Sequence, residues 1–490
     1  MGFVDKFLSW VGVKREMTLP TNDRLRYFEL ELNRWLMSPE REAMINGDRY
    51  YMGDHDVLNR KRTAIGEKGE LIELANLPNN KIVNNLYGKL VDQKCNYLLS
   101  KPLTFESGNE QYDKLLNNIF NADFLRRLKN SGIDALNGGI TWLYPYYDDK
   151  GNFCFQSFRS YEILPFWKDN EHTELEGALR YYHVQAWQGS QSVIVKKVEI
   201  FTEQGIERYT LKGTKLELDE TEPFGYYARI GDKGFTWDKI PLVPFKANGR
   251  EIPLLKRCKA LQDAYNVMLS DFANVMQEDC RNTILVIKNY DGQNLGEFRK
   301  NLATYGAVKV KSTDGADGGV ETLTISVNKD NYESILQLLK KSIIESCMGY
   351  DAKDDRIGSN ANQVNIKSMY SDIDIDADNM QTEYKAGFEQ LLFFVNSYLA
   401  TTGKGSFFDI PVKITFNTDL IINETEIIDN LVKLGVQLPN ELLVAQVPFV
   451  DNVQDVMDML EKEKEENDIY AQAFMNNGEN VNDNSQDFER

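Results

Sequence analysis

Between residues 254 and 275 the apolar positions Leu254, Cys258, Leu261, Tyr265, Met268, Phe272 and Val275 recur in alternating steps of four and three. That spacing predicts one helix of about 25 residues with a narrow, nearly heptad seam. Ala260, Ala264 and Ala273 permit close helix approach, and Met268, Leu269 and Met276 widen the apolar face. A second long helix is predicted over 328–347, with Tyr332, Ile335, Leu339 and Ile343 on one face. Between the two lies a compact α/β insertion, residues 281–326. It reads as a strand (Thr283–Lys288), a helix (Leu295–Tyr305), a strand (Ala307–Lys311), a Gly/Asp loop (Asp314–Gly319) and a last strand (Val320–Ile325). Two long helices bracketing a small module make a stalk with a head on it. A spacer between two rigid rings needs that shape, and few small enzymes do.

The remainder has a different texture. Residues 22–50 place Leu25, Phe28, Leu30, Leu32 and Leu36 at helical spacing. In Tyr50–Arg62 (YYMGDHDVLNRKR) Gly53 and the aspartates suggest a turn into a basic stretch. Asn79–Pro102 reads as one amphipathic helix with Ile82, Leu86, Leu90 and Tyr97 on its apolar face, ended by Pro102. From Gly139 to Phe245, aromatic-rich alternating runs (ITWLYPYY, SVIVKKVEIFT, FGYYARI) divided by Gly, Asp and Asn predict antiparallel sheet. The boundary near Pro244 is sharp. Gly349–Gln363 is polar and non-periodic, hence a loop, and Val364–Leu399 a third helix broken near Asp372–Asp378. A strand (Val412–Phe416) and two helical segments around Pro439 follow, and after Leu460 the acidic, Asn-rich chain predicts a disordered tail.

At 490 residues the chain is too long for one ordinary core, so two to four domains or subdomains are expected. No stretch approaches the roughly 18 apolar residues of a membrane span, so no membrane association is expected. Asp5 and Lys6 interrupt the apolar N-terminus, which fits an amphipathic first helix rather than a secretory signal, and Lys6 fails the myristoylation pattern. An intracellular origin is expected. Five scattered cysteines (Cys95, Cys154, Cys258, Cys280, Cys347) without CxxC argue against disulfides or a zinc module and fit small buried groups. The three histidines (His55, His172, His183) are not at ligand spacing. The net charge of −19, from 56 basic and 75 acidic residues, disfavours tight DNA binding. DNA passage is another matter, because a repulsive wall lets a polyanion slide.

Few motifs carry chemistry. Asp372, Asp374, Asp376 and Glu383 meet EF-hand spacing at positions one, three, five and twelve, but Ala377 stands where the loop needs glycine. A helical face, solvated or between subunits, is the preferred reading, with a metal-dependent nuclease as the competing use of these carboxylates. Arg60-Lys61-Arg62 reads as a solvated turn or a contact with acidic groups before a phosphate site. No nucleotide-binding glycine motif, nucleophile elbow or Ser/His/Asp set is present. No cofactor, catalytic residue or resident metal is expected.

Five segments in order then carry a resemblance: YYMGDHDVLNRKR; NNKIVNNLYGKLVDQKCNYLLSKP; IPLVPFKANGRE leading into LQDAYNVMLSDFANVMQE; SNANQVNIKSMYSDIDIDADNMQTEYKAGFEQLL; and LPNELLVAQVPFVDNVQDVMDMLEKE. Together, across residues 25–465, they resemble portal proteins of tailed phages, in the subgroup common among phages of Gram-positive bacteria. No single segment is diagnostic; the order is.

The resemblance implies an α+β, mainly helical portal fold: wing, two-helix stem, small α/β clip and helical crown, assembled as a homo-oligomeric ring of about twelve. On this chain it implies an N-terminal segment (1–24), a wing (25–253) and stem helices at 254–279 and 328–348 flanking a clip (280–327). A tunnel loop (349–363), a long broken helix returning to the wing (364–404), a crown (405–465) and an acidic tail (466–490) complete it. The stem residues would be Leu261, Tyr265, Met268, Phe272, Tyr332, Ile335, Leu339 and Ile343. The tunnel loop would present Lys353, Asp354, Asp355, Arg356, Ser359, Asn360 and Asn362 to double-stranded DNA, without sequence preference. Its aspartates, Asp351 included, favour steering or sealing over a basic collar. The clip, with Arg281, Lys288, Arg299, Lys300, Lys309 and Lys311, would dock the terminase large subunit and later the head-completion protein. Major capsid and scaffolding proteins are the other implied partners, and a capsid vertex is the implied location after assembly in the host cytoplasm. A different adaptor ring of the virion would share the layout.

Overall fold

The computed structural model describes residues 21–65, 69–74, 77–148, 151–188, 190–230, 233–237, 239–279, 284–288, 319–323, 329–351 and 363–417, and a few helical residues between 443 and 463. The chain divides into two compact units, one of residues 1–350 with 372–419, the other of 351–371 with 420–490. Readings that fall on the N-terminal segment, residues 295–311, the helices around Pro439 and the acidic tail lie outside the described residues.

The first unit opens with α1 (Thr21–Leu36) and α2 (Pro39–Tyr51). They are divided where Ser38 caps α2, its hydroxyl accepting from Arg41 N–H at 3.1 Å, with Pro39 in the first turn. Then come β1 (Thr63–Ile65), β2 (Leu71–Glu73), α3 (Leu86–Leu99), β3 (Thr104–Glu106), α4 (Glu110–Ile119) and α5 (Ala122–Gly138). The strand-rich stretch holds β4 (Ile140–Tyr147), β5 (Phe153–Phe158), β6 (Ile163–Trp167), β7 (Leu175–Gln188), β8 (Gln191–Thr202), β9 (Gly205–Lys212), β10 (Lys215–Leu218), β11 (Phe224–Gly225), β12 (Ala228–Ile230), β13 (Lys233–Phe235) and β14 (Val243–Lys246). After it follow α6 (Leu255–Asp279), β15 (Ile284–Lys288), β16 (Gly319–Leu323), α7 (Lys329–Ser346), α8 (Gln363–Thr401) and β17 (Lys413–Thr415).

The antiparallel reading of 139–245 holds. One sheet runs β10-β9-β8-β7-β6 with β11 on β9, and a second runs β14-β4-β5, every pairing antiparallel. The first sheet buries Leu179, Tyr181, Val198, Ile200 and Tyr209 against Phe28, Leu32 and Trp35 of α1. Leu30 does not join them. It stands two residues from both Phe28 and Leu32, on the opposite side of the helix, and is 63% exposed. The largest core gathers α3, α4, α5 and the start of α6 around Tyr384, Phe388, Leu391 and Val395 of α8. Separately, β15 pairs antiparallel with β16, Ile284 opposite Leu323, and β17 pairs with β3.

Two expectations are corrected. Residues 79–85 are not helical, and α3 begins only at Leu86, capped by Asn85, whose side chain accepts from Gly88 N–H at 2.8 Å. The preceding extended segment is held by a polar ladder on α6. Asn80 N–H donates to Asn274 Oδ1 at 2.6 Å, Ile82 N–H to Ser270 Oγ at 2.9 Å and Asn84 N–H to Asn266 Oδ1 at 3.1 Å. Tyr87 N–H donates to Gln262 Oε1 at 3.1 Å. Two extended residues advance about 6.7 Å and four helical residues about 6 Å, so every second amide meets every fourth side chain. Gln262, Asn266 and Ser270 are fully buried. They lie beside the apolar seam, which the spacing rule reads as the whole contact face.

The second correction is α8, which runs unbroken from Gln363 to Thr401 through the acidic run. Ile373 and Met380 are buried between the aspartates, and the carboxylates find cations and a phenol, as described next.

Candidate functional site

The two long helices α6 and α7 pack against each other. Phe272 and Tyr332 meet at 5.1 Å between ring centroids, and Cys258 near the start of α6 interacts with Cys347 just past the end of α7, so the two helices run antiparallel. Tyr265 and Ile343 are buried, Leu261 and Leu339 pack half-buried against the core, and Met268 is half-buried. Ile335 departs from the expected face: it is 40% exposed in the single chain, next to Leu338 at 64%. Between the end of α6 and the start of α7 lies a groove of about 380 Å³ lined by Tyr265, Leu269, Phe272, Tyr332 and Leu336, with Lys329 and Lys340 also on its wall.

Of the residues expected to form a docking clip, Lys288 lies on β15 and only its backbone is described; Arg281, Arg299, Lys300, Lys309 and Lys311 lie outside the described residues, as do Lys353, Asp354, Asp355, Arg356, Ser359, Asn360 and Asn362. What the structure does describe is the pair of chain ends from which residues 351–371 depart. Gln93 of α3 clamps one end: its Nε2 donates to Tyr350 O at 2.9 Å and its Oε1 accepts from Tyr350 N–H at 3.1 Å. Lys94, 4% exposed, donates to Met348 O at 3.0 Å and to Asp376 Oδ2 at 2.7 Å. Arg257 of α6 reaches Asp376 Oδ1 at 2.9 Å. The Tyr97 hydroxyl donates to Asp374.

Electrostatics follow from burial and pairing. Burial lowers the Lys94 ammonium from its ordinary value, with Asp376 opposing. Burial alone would raise Asp376, but Lys94 and Arg257 together hold its carboxyl below the usual range. Asp374 and Asp376 are therefore engaged within the fold, on a helix rather than a calcium loop. Among the described residues no group of three or more His, Cys, Asp or Glu side chains could hold a metal. Two of the four carboxylates at EF-hand spacing, Asp374 and Asp376, thus have protein partners.

The basic run 60–62 is also spent internally. Arg60 pairs bidentately with Asp271 of α6 at 2.8 and 3.1 Å, Lys61 pairs with Glu73 at 3.0 Å, and Arg62 donates to Pro78 O at 2.8 Å. Of the histidines, His55 is buried between Tyr50 O and Asn266, and desolvation lowers its pKa. His172 pairs with Glu251 at 2.8 Å, and His183 meets the Tyr181 hydroxyl at 2.8 Å. Cys95, Cys258 and Cys347 are buried thiols and Cys154 is half-buried.

Gln93, Lys94 and Arg257 escaped the sequence reading. A signal existed: Lys94 falls four residues after Leu90 on the apolar face of α3, where an apolar side chain is expected. Among the described residues no helix is long and apolar enough to cross a membrane.

Comparison with known proteins agrees with the segments singled out in the sequence. A family model described as "Phage portal protein, SPP1 Gp6-like" matches residues 38–470. The portal protein of Bacillus phage SPP1 is 30% identical over 429 residues, 86% of this chain and 84% of that protein. The portal protein of Clostridium phage phiCD119 is 26% identical over 451 residues, 89% of this chain and 96% of that protein.

Proposed function

Because the chain belongs to the phage portal protein family, SPP1 Gp6-like, we propose that it acts as a non-enzymatic conduit: a ring of about twelve copies at one capsid vertex, through which double-stranded DNA enters and leaves. The observation that carries the assembly is the antiparallel α6–α7 pair, which keeps Met276, Ile335 and Leu338 exposed in the single chain. A solvated stalk would be polar on that side; a stalk packed between two neighbours would not. A net charge of −19 suits a wall that repels the DNA rather than gripping it.

In this reading α6 and α7 are the stem, residues 280–327 the clip that docks the terminase and later a head-completion protein, and 25–253 the wing facing capsid and scaffolding proteins. Residues 349–363 touch DNA weakly and without sequence preference, Lys353 and Arg356 steering while the aspartates prevent a tight grip. The returning helix and residues 405–465 complete the wing and crown.

The test is the native mass of the purified protein with class averages from electron microscopy. Rings of about twelve subunits around a central hole are expected. A compact dimer without a channel, at concentrations where relatives form rings, would overturn the conduit.

A further inference from the structure

We infer that the β1–β2 ribbon is the projecting half of a contact between neighbouring copies of this chain: its paired Ile65 and Leu71 seat in the groove between α6 and α7 of the next copy. The inference rests on the ring proposed above and names two surfaces that join it.

The antiparallel register of β1 and β2 sets Ile65 directly opposite Leu71. Opposed residues share one face of a sheet, so the two side chains make a single apolar patch, with Thr63 and Glu73 next along that face. The chain that carries the patch leaves it uncovered: Ile65 is 79% exposed and Leu71 76%, and Ile72 on the other face is exposed as well. The sheet has only these two strands. A two-stranded ribbon is marginal in water by itself, and burying its apolar pair on another molecule is favourable.

The base of the ribbon is anchored on α6. Arg60 pairs with Asp271, Leu74 N–H donates to Arg62 O at 2.8 Å, and Asn80 N–H reaches Asn274. These bonds hold the base at the level of residues 271–274. The groove lies at nearly the same level, with Leu269 and Phe272 on its wall, but on another side of the helix. At 3.6 residues per turn, Asp271 stands about 100–160° around α6 from Tyr265, Leu269 and Phe272. A patch and a groove at one height on different sides of one helix suit a head-to-tail contact between identical copies. Each copy then offers its patch to one neighbour and its groove to the other, and such contacts close into a ring.

Size and charge agree. A cavity of about 150 Å³ holds a benzene ring, so a groove of about 380 Å³ has room for two branched aliphatic side chains. The groove wall carries Lys329 and Lys340 against one carboxylate, Glu333. On the ribbon, β2 lies between Glu70 and Glu73, of which Glu73 also meets Lys61. Two copies that each carry a net charge of −19 repel, and a basic wall facing an acidic strand offsets that repulsion locally.

The test uses rings of the full-length protein. Leu71→Cys and Gln337→Cys, both at exposed positions, are combined in one chain and treated with a short bismaleimide, which joins two thiols by alkylating both. Each single variant serves as the reference for the native cysteines. A ladder of covalent multimers extending beyond the dimer is expected, at least about tenfold stronger than in either single variant, because seated thiols face each other at high effective concentration. In a second variant, Ile65→Asp with Leu71→Asp, both changes face solvent in the single chain, so the far-UV circular dichroism spectrum should not change. Rings at equal concentration should fall at least about tenfold, the factor that lost burial of one aliphatic side chain brings. Wild-type rings whose double-cysteine form gives no ladder above the single variants would overturn the inference and leave the conduit standing, as would wild-type numbers of rings from the double aspartate variant. A ladder that stops at the dimer would overturn the head-to-tail contact. A wild-type chain that forms no ring would overturn the conduit reading and this inference together.

Discussion

The backbone N–H of Ile82 donates to Ser270 Oγ at 2.9 Å, while the same hydroxyl donates to Asn266 O at 2.7 Å, one turn back in its own helix. One buried serine thus bonds both to its own helix α6 and to the segment that crosses it. An extended segment without a strand partner would leave its buried amides unpaired, and the ladder of 262, 266, 270 and 274 removes that cost. Ser270→Val fills similar space but orphans the Ile82 amide. We expect a loss of about 1–3 kcal/mol in denaturant unfolding. Amide exchange at Ile82 should rise while that of the α5 interior holds; unchanged exchange at Ile82 would contradict the ladder.

Gly47 lies in the middle of α2, where alanine is ordinarily better by about 1 kcal/mol. Here a Cβ would sit 2.0 Å from Asn137 O, a backbone atom near the end of α5. Two helices touch through that glycine and neither can yield without moving its partner. Gly47→Ala should therefore destabilise, by about 1–3 kcal/mol after the propensity gain is offset. A rise in melting temperature would show that α2 and α5 are not in this contact.

Asp134 is raised to about 6, chiefly by burial and further by Asp48 and Glu162, with Arg159 opposing. Its unfolded value is about 3.9, so the native state holds the proton longer. The sign follows: stability is unaffected below about pH 4, falls as pH rises toward 6, and is then reduced by at most about 2–3 kcal/mol. Asp134→Asn should raise the denaturation midpoint at pH 7 and change it little at pH 4. An equal gain at both pH values would point to packing instead.

Trp142 is fully buried, yet its indole N–H has no partner among the described residues. Trp142→Phe loses apolar contact but also removes that orphan donor. The expected cost is about 1–2 kcal/mol, below the 3–5 kcal/mol expected for Trp142→Ala. Comparable losses for the two variants in chemical denaturation would mean that the indole makes a bond after all.

Some of this was fixed locally and could be read from the chain. The seam of Leu254 through Val275 produced a 25-residue helix within a residue of its expected start, because heptad spacing presents one face whatever the neighbours are. The aromatic alternation of 140–147 and 192–202 produced paired strands for the same reason. The five segments in their order carried the family, although no single one of them is diagnostic.

Tertiary structure decided what depends on a partner distant in the chain. Residues 79–85 carry Ile82 at helical spacing from Leu86, yet they are extended because α6 offers acceptors about 190 positions away, a pairing no local pattern encodes. The acidic run 372–378 looked like a helix breaker or a metal loop; Lys94, Arg257 and Tyr97 neutralise and bind it from two other helices, so the helix continues. Lys94 itself was visible as a misplaced charge on an apolar face. Which carbonyl and which carboxylate it joins is set only when α3, α7 and α8 come together, because a buried charge takes its meaning from its partners.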